Sequence, residues 1–267
     1  LLGSDNLPPH VSVTALPGKS TVEELGFPAA EFSPVGAVLE RGDPSAIRQV
    51  RAGSARVQDE GSQLAALALS RARPIERGEL WLDLCAGPGG KAALLAAEAA
   101  AGGATLVANE LVPARAQLVR TALAVFEPAP EVWELDGADV GEQYPEKFDR
   151  ILLDAPCTGL GALRRRPEAR WRKQPKDVAD LADLQFRLLR SAAAALRPGG
   201  ILAYVTCSPH LGETRVAVQS AVRKLGDSLS TIDSQAVLAG VTRAPLDLPA
   251  AEHRHPHLVC EECGKVE

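Results

Sequence analysis

Short, nearly continuous apolar runs alternate with longer Ala- and Leu-rich stretches along most of this chain. The short runs predict strands at Trp81–Leu84, Ala104–Glu110, Glu131–Leu135, Phe148–Asp154 and Ile201–Thr206. The longer stretches predict helices over Leu64–Ser70, Lys91–Ala101, Pro113–Phe126, Asp177–Leu196 and Glu213–Leu225. Pro113 suits a first helical turn, and Arg197-Pro198-Gly199-Gly200 closes the long helix before it. Strand and helix in alternation argue for an α/β fold: a Rossmann-like, doubly wound and mostly parallel sheet, with its ligand across the carboxyl ends of the strands.

Residues 1–56 break that rhythm. Six prolines punctuate short alternating pieces, Val11-Ser12-Val13-Thr14 and Ala37-Val38-Leu39. These predict short strands around a helix at Thr21–Leu25, with Thr21 as cap and Glu24 completing a capping box. So small an α+β region docks on the larger domain after it rather than holding a large core of its own. The expected organisation is therefore residues 1–56 as an appendage, 57–250 as the main domain and 251–267 as a tail. Val57 to Gln63 leads into the first large helix, with Asp59 as its candidate cap.

Composition narrows the class. The 267 residues are 46% hydrophobic and 24% charged, ordinary for a soluble globular protein. A net charge of -5 argues against nucleic-acid binding through bulk charge and leaves room for a local basic patch. No apolar run is long enough for a membrane span, and no signal-peptide pattern opens the chain. The odd count of five cysteines fits a reducing compartment. The expectation is a cytoplasmic monomer without a membrane partner. A start at Leu1 and the lack of any methionine read as a fragment.

The candidate chemistry lies at the strand ends. Asp83, Glu110, Asp136, Asp154, Cys157 and Cys207 all fall at or just past them. The turn Cys85-Ala86-Gly87-Pro88-Gly89-Gly90-Lys91 joins a strand to a helix, so its backbone N–H groups point at a ligand from the positive helix end. Neither G-x-G-x-x-G nor a phosphate-loop spacing is present, which weighs against a nicotinamide-dependent oxidoreductase. An acid at the tip of the second strand, Glu110, suits ribose hydroxyls. The most basic stretch comes just after the Pro156-Cys157 loop. It contains Arg164, Arg165, Arg166, Arg170, Trp171, Arg172 and Lys173, which offer phosphate contacts and a stacking face for an unpaired base.

Together the LDLCAGPGGK turn, the DAPCTG loop, the TCS strand end and Gln58-Asp59-x-x-Ser62-Gln63-Leu64 resemble the RsmB/Sun group of RNA cytosine-5 methyltransferases. The resemblance runs from about Arg51 to Leu225. It implies an S-adenosylmethionine-dependent enzyme acting on RNA, ribosomal RNA within that class. Cys85–Lys91 would wrap the methionine part, Glu110 the ribose and Asp136 the adenine, with Asp154 near the methyl donor and target base. It also implies that Cys207 is the nucleophile and that Cys157 acts in product release.

Cytosine C5 is a poor nucleophile. A thiolate adding at C6 makes C5 enamine-like, and an acid at N3, for which Asp154 is placed, offsets the charge gathering on the ring. In DNA cytosine-5 methyltransferases, the first alternative, the Pro-Cys cysteine attacks instead. Their Glu-Asn-Val motif is absent here. A non-catalytic RNA-binding scaffold is the second alternative.

The tail fits this picture least. The family should close its sheet with a final apolar strand pair, whereas His253-Arg254-His255-Pro256-His257-Leu258-Val259-Cys260-Glu261-Glu262-Cys263 resembles the His-rich C-x-x-C segment of ferric uptake regulator proteins. Its thiol pair has zinc-ligand spacing, and His255 or His257 could join it. A closed four-ligand site normally draws on a second pair or two well-placed histidines, so no metal is assigned. A disordered tail or a fusion is the alternative.

Overall fold

The computed structural model describes residues 10–163, 165–226, 229–246 and 259–262. The order begins with β1 (Val11–Ala15), α1 (Val22–Leu25), β2 (Gly36–Leu39), α2 (Arg48–Arg51) and β3 (Ala55–Val57). These strands form a small antiparallel sheet in the order β2-β1-β3. The capping box of α1 is present, Thr21 and Glu24 each bonding the other's backbone N–H.

The main sheet comes next. Its elements are α3 (Glu60–Arg71), β4 (Leu80–Asp83), α4 (Gly90–Gly102), β5 (Thr105–Asn109), α5 (Pro113–Leu123), β6 (Glu131–Trp133) and α6 (Val140–Gln143). Then come β7 (Phe148–Asp154), α7 (Ala169–Arg172), α8 (Pro175–Ala195), β8 (Leu196–Val205) and α9 (Arg215–Leu225). The last are β9 (Ser230–Ile232), α10 (Ser234–Val241) and β10 (Val259–Glu262). The strand order is β6-β5-β4-β7-β8-β10-β9. The first five strands run parallel, and the order reverses direction at β4, which puts the ends of β4, β5 and β7 side by side. This is the Rossmann-like fold that the alternating pattern predicts. No helix among the described residues is long and apolar enough to cross a membrane.

Period-2 alternation of the strands sorts the core into two layers. Trp81, Leu106, Ala108, Leu152, Ile201 and Ala203 pack with α3, α4 and α10. Leu82, Val107, Ile151, Leu153, Leu202 and Tyr204 pack with α8 and α9 on the other face. One cation lies inside the first layer. Arg150, on β7, is fully buried; its guanidinium bonds Glu79 at 2.8 Å, donates to the carbonyls of Leu69, Ser70, Arg73 and Pro74, and lies over the Trp81 ring.

The structure departs from the pattern in three places. First, β8 begins at Leu196, so Arg197–Gly200 lies within the strand as an irregularity opposite Phe148–Arg150 rather than as a separate helix stop. Second, Asp59 occupies the N-cap position of α3 but makes no side-chain cap. Its carboxylate is taken by Arg165, whose Nε donates to Oδ2 at 2.6 Å. Third, the tail does supply a strand. β10 is inserted antiparallel between β8 and β9, with Cys260 paired to Ala203 on one side and Ile232 on the other. Val-Cys-Glu-Glu shows little alternation, and for that reason no strand is predicted there from the pattern. His253, His255, His257 and Cys263 lie outside the described residues, as does the likeness to a metal-binding segment.

Candidate active site

The glycine-rich turn is held by the tip of the next strand. Gly87 N–H donates to Glu110 Oε2 at 3.0 Å, and Val112 N–H donates to Oε1 at 3.0 Å. Arg115 adds an ion pair to Glu110 at 3.4 Å and donates to the Gly87 carbonyl at 2.7 Å. A Cβ on Gly87 would stand 2.2 Å from Glu110 Oε2. Gly89 has φ +102°, and a Cβ there would meet Ala122 Cβ at 2.6 Å. Both glycines are therefore required by the turn.

Asn109, which no sequence motif singles out, ties the strand ends together. It donates to the carbonyls of Leu84 and Leu135, each at 3.1 Å, and accepts from Leu135 N–H at 3.0 Å. Ala86 N–H closes the turn onto the Asn109 carbonyl at 2.8 Å, Cys85 and Gly90 are partly buried, and Pro88 is exposed. Asp136 lies past β6, 42% exposed, with Oδ1 accepting from Ala138 N–H at 2.9 Å.

Beside the turn, Lys91 Nζ donates to Asp154 Oδ2 at 2.8 Å. Burial alone would lower the Lys91 pKa; Asp154, and behind it Asp83, outweigh that and hold the ammonium above its ordinary value. Asp83 is 1% exposed and neither carboxyl oxygen has a hydrogen-bond partner. Burial, reinforced by the Asp154 charge, pushes it up to about 8. At neutral pH the cluster thus holds an ammonium on Lys91 and a proton on Asp83. Burial also pushes the Cys85 thiol up, so it stays protonated.

The Cys157 and Cys207 thiols meet because β7 and β8 are parallel neighbours, with Asp154 level with Val205. Cys157 lies just past one strand end and Cys207 just past the other, and their sulfurs are 3.4 Å apart. The hydrogen bond from Cys157 brings Cys207 down to about 7; Lys91 helps, while burial and Asp154 oppose. Sharing that proton, with burial adding to it, pushes Cys157 up.

The loop after Cys157 folds back on the site. A short 3₁₀ turn, Leu160–Ala162, brings Gly161 N–H to the Cys207 carbonyl at 2.8 Å. Beyond it Arg166, Arg170, Arg172, Lys173 and Trp171, the last 89% exposed, face solvent on and around α7. Arg164 lies outside the described residues. Arg165 is engaged within the chain, by Asp59 and by the His10 carbonyl at 2.9 Å. The structure therefore brings the turn, Glu110, Asp154 and both thiols to one sheet edge, flanked by the basic loop. Sequence reasoning misses Asn109, which sits in no motif; only the fold shows what it touches.

The chain as a whole is similar to known proteins. A family model described as 16S rRNA methyltransferase RsmB/F matches residues 72–256. A Mycobacterium tuberculosis protein with the provisional name of methyltransferase is 46% identical over 263 residues, 96% of this chain and 56% of that protein. Ribosomal RNA small subunit methyltransferase B of Pseudomonas putida is 35% identical over 250 residues, 90% of this chain and 52% of that protein. Among solved structures, a methyltransferase homologue from Pyrococcus horikoshii superposes with a TM-score of 0.71 at 25% identity, over 86% of this chain and 74% of that one. The chain spans about half the length of the curated relatives it matches.

Proposed function

This chain belongs to the 16S rRNA methyltransferase RsmB/F family, and on that premise we propose that it methylates cytosine C5 in ribosomal RNA, using S-adenosylmethionine and a covalent bond from Cys207 to C6. The observation that carries the reading is the thiol pair: two sulfurs 3.4 Å apart, with Cys207 the partner that ionises near neutral pH. A lone nucleophile would need only one.

The turn fits the cofactor. Gly87 and Gly89 let the turn pack directly on Glu110, Arg115 and α5 where a Cβ would collide, which holds the backbone of Cys85–Lys91 at the strand ends beside Glu110 and Asp136. S-adenosylmethionine, when bound, supplies an electrophilic methyl group. The chain's own residues do the rest. The Cys207 thiolate adds to C6 and makes C5 nucleophilic. Asp154 faces N3; that role needs a proton, and both Lys91, bonded to Asp154, and Asp83 carry one at neutral pH. After transfer solvent takes the C5 proton, the C5–H electron pair restores the C5–C6 double bond and expels Cys207 as the thiolate, and Cys157 assists that departure. The exposed arginines and Trp171 hold the RNA strand, through phosphates and by stacking.

Radiolabelled methyl transfer to bulk RNA, with DNA and small metabolites in parallel, tests the reading. Label in 5-methylcytosine of RNA is expected. Label only in DNA, or dependence on Cys157 rather than Cys207, would replace it with the DNA-type mechanism. RNA binding without transfer would leave a scaffold.

A further inference from the structure

Cys157 and Cys207 sit on separate loops beyond the last ladder pair of β7 and β8, so strand pairing alone does not set the distance between them. The residues next in the chain after each cysteine, Thr158 and Ser208, lead to one carboxylate. Glu213 is fully buried, just before α9. Its Oε1 accepts from Thr158 N–H at 2.8 Å and from Gln185 Nε2 at 3.3 Å, and its Oε2 accepts from the Thr158 hydroxyl at 2.5 Å. With the Thr158 proton so used, the Ser208 hydroxyl, 3.3 Å away, donates to Thr158 Oγ1. Gln185 also donates to the Pro156 carbonyl at 2.9 Å, just before Cys157, and Tyr204 of β8 donates to the Glu213 carbonyl at 3.0 Å. A buried carboxylate is tolerated only with such a set of donors, and bonds of this kind are short and directional.

We infer that Glu213 is a positioning residue: through Thr158 and Ser208 it fixes the two cysteine loops against each other, and so sets the approach of Cys157 to Cys207 on which release of the methylated base depends. The release part rests on the function proposed above; the approach of the sulfurs does not. Glu213 itself touches neither thiol.

The test compares Glu213→Ala, Glu213→Gln and Thr158→Val with the parent chain and Cys157→Ala. The first readout is the rate at which diamide links Cys157 to Cys207 in the native protein, followed by mass spectrometry of that peptide pair. Loss of register should slow it about ten- to a hundredfold in Glu213→Ala. Glu213→Gln keeps an acceptor for Thr158 N–H and should recover most of the rate. The second readout is the covalent RNA adduct, which should accumulate in Glu213→Ala as is expected of Cys157→Ala, with the first methyl transfer retained. If Glu213→Ala does not melt cooperatively, Thr158→Val, which leaves the other two donors in place, is read in its stead. A folded variant that links its thiols at the parental rate and releases RNA normally overturns the inference. If Cys157→Ala itself traps no RNA, the proposed release step fails, and the linking rate alone still decides the role of Glu213.

Discussion

The sulfurs of Cys157 and Cys207 lie 3.4 Å apart, and with Cys207 the ionised partner the Cys157 thiol is the donor, which makes the two chemically unlike. Because the thiolate is the reactive form, alkylation of Cys207 by iodoacetamide should rise with pH through about 7. Cys157→Ala removes the bond with the largest effect and should move that midpoint up, toward the ordinary thiol value of about 8.5. Lys91→Met removes a helpful positive charge and should move it in the same direction by less. A midpoint that stays put in Cys157→Ala would mean the pair does not share its proton.

Covalent trapping assigns the roles. On a denaturing gel with RNA and S-adenosylmethionine, Cys157→Ala should accumulate a protein–RNA adduct, while Cys207→Ala and the double variant should show none. An adduct in the Cys207→Ala lane would sink the assignment.

Gly87→Ala would place a Cβ 2.2 Å from Glu110 Oε2. Glu110 must then leave the turn, and S-adenosylmethionine affinity measured by calorimetry should fall at least about tenfold, with a stability cost of about 1–3 kcal/mol. Unchanged affinity would show that the cofactor does not lie against this turn and Glu110.

Arg150→Met should cost about 3–5 kcal/mol, because it removes the donor to four backbone carbonyls and leaves the buried Glu79 with only Trp81 and Arg73 as partners. Burial alone would raise the Glu79 pKa, but Arg150 and Trp81 outweigh it and hold the carboxyl below its ordinary value. The stabilisation is therefore complete above the ordinary carboxylate range and is lost as pH falls through the folded-state value. In Arg150→Met the acid loss should begin at higher pH. Chemical denaturation at several pH values measures both effects.

Arg166→Ala should weaken RNA binding at every sequence and reduce the slope of log affinity against log salt by about one. Asp59→Ala should do the opposite, since it frees Arg165, at a stability cost of about 1 kcal/mol or less for so exposed a pair. Filter binding across a salt series separates the two.

The range of each interaction decides whether it is legible in the sequence. The strands, their parallel order and the cluster of acids and thiols at one edge are legible, because apolar runs and glycine turns are local signals. Asp59 reads as a cap because its true partner, Arg165, is 106 positions away. Arg150 passes for one polar residue in an apolar strand, since nothing local announces the five acceptors that bury it. Glu213 likewise looks like the start of a helix; its partners at 158 and 185 meet it only in the fold.

The placement of β10 between β8 and β9 bears on how the protein is made. β9 leaves the ribosome before the strand that must separate it from β8. Until Val259–Glu262 emerges, β8 carries a bare edge and β9 has no ladder to join. A nascent chain stalled in that interval already contains every group of the candidate site, yet it presents an unpaired strand that invites pairing with another polypeptide. Chaperones and proteases would meet this open-edged sheet rather than the finished one. Release of the last few strand residues, not formation of the thiol pair, is the event that commits the sheet to its final order.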